Sequence, residues 1–137
     1  FAPPVGLRLT RTARVVSQAF ERAMAEAGGS AAAWQVLLLV RSGQWGTQAG
    51  MAEAMGITGA TLTHHLQALE AQGLVERTRG GSDRRAQQVA LTEEGAALFD
   101  RLRRVAQQYD ERLRSILGEE DAAQLRALLE RLEEGLT

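Results

Sequence analysis

Residues 57–73, ITGATLTHHLQALEAQG, decide how the rest of the chain is read. Leu62, Leu66 and Leu69 recur at spacings of four and three, so one stripe of an α-helix can pack on a core. Ala60, Thr63, His64 and Gln67 fall on the opposite side. Thr58 suits an N-cap, because its hydroxyl can take up a free amide of the first turn. Gly73 stands where a left-handed residue ends a helix. The outer face carries no Lys or Arg, and its single charge is Glu70, on the flank. An ordinary surface helix would be richer in Glu, Lys and Arg. Short hydroxyls, an imidazole and an amide suit close approach to another surface, and base edges in a DNA major groove are one such surface. A half-exposed structural helix is the plainer reading, and on this stretch alone both stay open.

The neighbouring residues give that helix a setting. Upstream, Thr47 looks like a cap for a short helix over 48–55, with Met51, Ala52 and Met55 inward and Gly56 breaking it. Two short helices joined by a turn containing Gly make a helix-turn-helix. Downstream the period becomes alternating. Residues 74–79 and 86–91 read as strands, with Val75, Val89 and Leu91 inward and Gly80-Gly81-Ser82-Asp83 as the hairpin tip. So short a hairpin is marginal alone and must lean on the helices.

Further out, a helix is expected over 5–27, striped by Leu9, Ala13, Val16, Phe20 and Met24 and ended by Gly28-Gly29. Ser30 caps a helix over 31–41 that is apolar nearly all round and therefore expected to be the central buried one. On the other side, Thr92 with Glu93 and Glu94 opens a long helix to about residue 117. Its stripe is Leu98, Leu102, Val105 or Ala106, Tyr109, Leu113 and Ile116. Gly118 breaks it, and a last helix over 121–136 carries Leu125, Leu128, Leu129, Leu132 and Leu136. The terminal helices have more apolar stripe than a monomer with one compact centre would use. A helical dimer interface is favoured over an intramolecular bundle.

The 137 residues, 45% of them apolar, fit one domain with helical extensions. A net charge of −1 supplies no global basic field to announce a nucleic-acid partner. The charge is uneven all the same: +3 over residues 1–42, zero over 43–91 and −4 beyond, with every Arg of the middle segment crowded into 77–85. The absence of cysteine excludes disulfides and thiolate metal sites. No apolar run approaches membrane-spanning length and no leader pattern is recognisable, so a cytoplasmic location without a membrane partner is expected. There is no phosphate-cradling Gly-Lys loop, no HExxH and no nucleophile elbow, so neither a cofactor nor an enzymatic activity is expected. His64 and His65 are adjacent and diverge on a helix, with no acid or third His spaced to help them hold a metal.

Helix, helix-turn-helix and two-stranded hairpin in that order form a winged helix-turn-helix. The stretch TQAGMAEAMGITGATLTHHLQALEAQGLVERTRGGSDRRAQQVALTEEG, residues 47–95, resembles the MarR family, the multiple-antibiotic-resistance regulators. Its most distinctive pieces are GLVER (73–77), SDRRA (82–86) and LTEEG (91–95). The resemblance implies a mainly α fold with a small β-hairpin wing. A winged lobe at 31–91 lies between dimerisation helices at 1–30 and 92–137. It implies a homodimer whose helix at 58–72 enters the major groove while the wing reaches the adjacent minor groove. Two such helices related by a two-fold axis should read palindromic half-sites roughly 34–36 Å apart.

Within that frame Thr58 and Thr61, near the helix start, suit phosphates, which position without specifying. His64 and Gln67 suit base edges, Ala60 a thymine methyl, and Thr63 is a further groove candidate. Asp83-Arg84-Arg85 matches the family's Asp-x-Arg wing pattern. One Arg holds Asp83 and stiffens the loop while the other enters the minor groove. Arg84 at the tip with Arg85 on Asp83 is favoured; the roles can swap, and a solvated ion pair is the plainer alternative. Many relatives carry Asp-Pro-Arg before this point, and Gly80-Gly81-Ser82 leaves fewer charges on this wing.

The family also binds small aromatic or phenolic anions in a cleft between dimer helices and lobe, which Arg14, Trp34, Trp45 and His65 would line. Read without the resemblance, Trp34 and Trp45 are core aromatics. His65, beside the leucine stripe, is a satisfied core histidine, with an effector contact or pH sensor as the sharper alternative. The expected function is a homodimeric DNA-binding regulator, a repressor released by such an effector. The rival from another class is a helical protein-interaction module whose winged fold does not bind DNA, supported by the near-neutral charge. A small-molecule enzyme or metal sensor is the third.

Overall fold

Local cap chemistry sets where the helices begin. In the computed structural model, which describes residues 2–43, 47–79 and 87–137, four hydroxyls accept an amide three residues on. Ser30 accepts from Ala33 N at 3.0 Å, Thr47 from Gly50 N at 3.1 Å, Thr58 from Thr61 N at 3.1 Å and Thr92 from Gly95 N at 3.0 Å. The elements are α1 (Val5–Glu26), α2 (Ala31–Ser42), α3 (Gln48–Met55), α4 (Gly59–Ala71), β1 (Val75–Arg79), β2 (Gln87–Leu91), α5 (Glu93–Leu117) and α6 (Glu119–Leu136). The two strands pair antiparallel, with Val75 opposite Leu91 and Arg77 opposite Val89. Mainly helical, with one two-stranded ribbon, this is the winged helix-turn-helix architecture.

Two element starts differ from expectation among the described residues. β1 opens at Val75 rather than Leu74, because Leu74 is already committed: its N–H donates to Leu69 O at 2.9 Å and its carbonyl accepts from Thr92 N at 3.1 Å. α6 opens at Glu119 rather than 121, directly after Gly118, whose φ of +86° turns the chain between α5 and α6. Glu119, Glu120 and Asp121 then occupy the positive end of α6. The hairpin tip at 80–83 lies outside the described residues.

The core draws on α1 to α5 and the first strand. Met24 comes from α1, Val36 and Leu37 from α2, Met51 and Ala52 from α3, and Leu62, Leu66 and Leu69 from α4. Val75 of β1 and Leu98, Phe99 and Leu102 of α5 complete it. α2 is central in its contacts, touching α1, α3, α4, α5 and β2. It is not buried all round, however. Leu38 is exposed, while Trp34, Leu39 and Val40 are half-buried. One side of α2 therefore faces outward beside α5. Trp34 is a border residue rather than a core one, stacked on Phe99 with ring centroids 5.5 Å apart and 13° between planes.

The stripes of the long helices run out of the core. Leu9 and Ala13 of α1 and Ile116 of α5 are exposed, and α6 has no buried residue. Between core and open end, Tyr109 of α5 donates its hydroxyl to Val16 O of α1 at 2.6 Å and packs against Phe20. No single helix among the described residues is long and apolar enough to cross a membrane.

Candidate nucleic-acid interface

The leucine stripe fixes which side of α4 faces outward. With Leu62, Leu66 and Leu69 buried against α2, α3 and β1, the residues half a turn away are presented to solvent. Ala60, Thr61, His64 and Gln67 are exposed, whereas Thr63, expected on the same flank, is half-buried. Thr58 and Thr61 at the start are not independent. Thr58 Oγ1 accepts from Thr61 N, and the two hydroxyls lie 2.9 Å apart. One hydroxyl proton joins them, which leaves the other to face outward.

The single charge on α4 is tied up. Arg77 of β1 sets its guanidinium against Glu70 as a fork, Nη2 to Oε1 at 3.2 Å and Nε to Oε2 at 3.4 Å. The hydrogen bonds from Arg77 hold the Glu70 carboxyl below its ordinary value. The outer face of α4 therefore presents hydroxyl, imidazole and amide groups with its one carboxylate already neutralised. Reading the chain alone missed this role of Arg77, because a pair that crosses a helix end follows no helical or strand period. The ribbon starts beside the same end of α4, where β1 packs against it. Asp83, Arg84 and Arg85 lie outside the described residues, as does Trp45.

The residues expected around an effector are not gathered in one place. Trp34 and Leu38 line an open groove of ≈ 640 Å³ with Arg103, Asp110 and Arg114 of α5. His65 lines a different depression of ≈ 270 Å³, with Ser30, Gln72 and Leu98. Arg14 is exposed on α1. His65 is half-buried and so does not sit deep in the core. Its position between the buried and exposed stripes of α4 explains the partial burial.

The MarR family model matches residues 29–86. The chain is 41% identical over 86 residues to the HTH-type transcriptional regulator PecS of Dickeya dadantii (strain 3937), a match covering 61% of this chain and 50% of PecS. It thus spans about half the length of that curated relative. Among solved structures, the fold is similar to the transcriptional repressor CouR bound to a 23-mer DNA duplex. The TM-score is 0.86 with 30% identity, over 95% of this chain and 92% of that one. CouR bound to p-coumaroyl-CoA is similar at a TM-score of 0.83 and 28% identity, over 95% of this chain and 91% of that one. A helix-turn-helix with an outward, charge-poor second helix, an attached ribbon, and a likeness that runs over nearly the whole chain lead to one assignment: the chain belongs to the MarR family of winged-helix transcription regulators, not to a family of enzymes.

Proposed function

We propose that the chain works in the cytoplasm as a homodimeric, DNA-binding transcription repressor that a small aromatic or phenolic effector releases. The observation that carries this reading is the outer flank of α4: open to solvent, free of net charge, and backed by three buried leucines that hold it rigid. His64 and Gln67 read base edges, Ala60 meets a thymine methyl, and Thr58 and Thr61 offer their outward proton to a phosphate. Thr63, half-buried, is confined to the rim. One of Arg84 and Arg85, Arg84 in the favoured assignment, supplies the minor-groove contact, while the other pairs with Asp83 and stiffens the loop.

The dimer is supported by the leucines left uncovered on the terminal segments 1–30 and 92–137. Two-fold symmetry then sets the reading helices on palindromic half-sites roughly 34–36 Å apart. Effector binding is supported by the open groove at Trp34, which Arg103 and Arg114 also line. Arg14, Trp45 and His65 are the further candidates around it. The similar repressor CouR has been seen with a duplex and with p-coumaroyl-CoA, a phenolic thioester. The effector acts by binding one lobe spacing better than the other, and shifts the population only by that difference in affinity.

Selection of bound sites from random duplexes, followed by gel shifts over a salt series, tests the reading. A palindromic consensus is expected. Arg84→Ala and Arg85→Ala should weaken binding to every sequence and flatten the salt dependence. His64→Ala should relax base preference more than it lowers non-specific binding. A wild-type protein that retains no duplex at low salt would overturn the reading in favour of a protein-interaction module, the alternative that the net charge of −1 favours.

A further inference from the structure

The chain leaves α4, runs through the ribbon and returns to α5 within a hydrogen bond of where it left. Gly73, at φ +73°, turns the chain out of α4. The Gly73 carbonyl accepts the Thr92 hydroxyl at 2.6 Å, and the Leu74 carbonyl accepts Thr92 N–H at 3.1 Å. The same hydroxyl oxygen accepts Gly95 N–H at 3.0 Å, capping α5. At Gly95 the two segments meet backbone to backbone, so that a Cβ there would fall inside the Leu74 carbonyl. One side chain therefore donates to the exit of α4 and accepts from the first turn of α5. α4 is also held by its leucine stripe against α2, α3 and β1 and by the Glu70–Arg77 fork, but neither of these ties it to α5. A hydrogen bond fixes both distance and angle. α5 leads on to α1 and α6, where the uncovered leucines lie.

We propose that Thr92 is a positioning residue for the reading helix, locking α4 to α5 and so setting the separation at which the two reading helices of a dimer meet DNA. The inference rests on the DNA-binding reading above. Two substitutions separate the strut from the cap. Thr92→Ser keeps both bonds. Thr92→Asp keeps an acceptor for Gly95 N–H but has no proton to give the Gly73 carbonyl at neutral pH.

The chain has no cysteine, so Gln67→Cys with Arg104→Cys, both exposed, places a spin-label pair across α4 and α5. Diluted with unlabelled chain, it reports their distance without DNA. Thr92→Asp should broaden that distribution at unchanged helix content, and Thr92→Ser should not. On unlabelled protein, the preference for the best half-site spacing over one shifted by a base pair should fall about fivefold in Thr92→Asp, the worth of one hydrogen bond. Should the carboxylate upset the fold, Thr92→Ala provides a second variant without the donor. A wild-type width in these variants, or equal broadening by Thr92→Ser, overturns the proposal. So does a broadened distance with unchanged spacing preference. Failure of the wild type to bind any duplex overturns the DNA-binding reading instead, while the label distances still decide whether Thr92 holds α4.

Discussion

Leucines on α4 and on α6 recur at the same helical spacing, yet Leu62 and Leu66 expose nothing while Leu125, Leu128, Leu129 and Leu132 remain 37–44% exposed. In the winged lobe, the stripe of α4 and the ribbon find their cover within the chain: α4 lies on α2 and α3, and the ribbon closes against α2, α4 and α5, while Leu38 of α2 stays open. α6 packs chiefly on α5, and a two-helix hairpin leaves the outer side of each stripe open. Val5, Leu7 and Val15 of α1 are left in the same condition. Periodicity tells which face of a helix is apolar; it does not tell what will cover it. The terminal helices leave far more apolar surface open than the lobe does, and the proposed second copy would cover it.

The sharpest way to break the lobe is at its seam with the terminal helices. Gly95→Ala drives a methyl into the Leu74 carbonyl, and backbone cannot rotate away as a side chain could. A loss of about 4 kcal/mol, among the largest for a single change, is expected by urea unfolding followed by circular dichroism. A loss below about 1 kcal/mol would mean that the seam yields. Leu66→Ala, inside the lobe, should cost about 3 kcal/mol by removing buried methyl groups and leaving a cavity.

The same class of residue on α6 should behave differently. Leu128→Asp with Leu132→Asp is expected to leave the unfolding of the monomeric lobe within about 0.5 kcal/mol of wild type. The change should appear instead in sedimentation, as a dimer converted to monomer. A variant that sediments as the wild type does would move the proposed dimer contact away from α6.

Where the determinants are local, the chain reads directly. Ser30, Thr47, Thr58 and Thr92 cap helices because a hydroxyl and an amide three residues on are all a cap requires. The α4 stripe, and with it the exposure of Ala60, His64 and Gln67, follows from spacing alone. Legibility fails where a residue's environment is supplied from far along the chain. Leu74 looks like a strand residue, but Thr92 claims its carbonyl from eighteen positions away. Phe99 falls off the α5 stripe and is buried because Trp34 of α2 stacks on it. Thr63 and His65 sit at the two edges of the α4 stripe, where periodicity cannot decide between burial and exposure. The separation of Trp34 from His65 depends on how α2, α4 and α5 pack, and neither residue's neighbours in sequence record that.

The smallest expected effect lies at the same end of α4, in the Glu70–Arg77 fork. Because the folded state holds the Glu70 carboxyl below its ordinary value, the pair contributes stability that is fully present above the unfolded carboxylate range. That contribution is lost as pH falls through the lowered folded value. Glu70→Gln removes this titration. Unfolding curves of wild type and variant should therefore differ at neutral pH and converge in acid, by a small amount that salt reduces further, since the pair lies at the surface. A difference that stays constant from pH ~7 to pH ~3 would detach the fork from the stability of the lobe. On DNA the sign reverses: with its carboxylate gone, Arg77 is free to meet a phosphate, so Glu70→Gln should bind somewhat more tightly, with a steeper salt dependence. Weaker binding by this variant would mean that the fork holds Arg77 in place for the duplex rather than away from it.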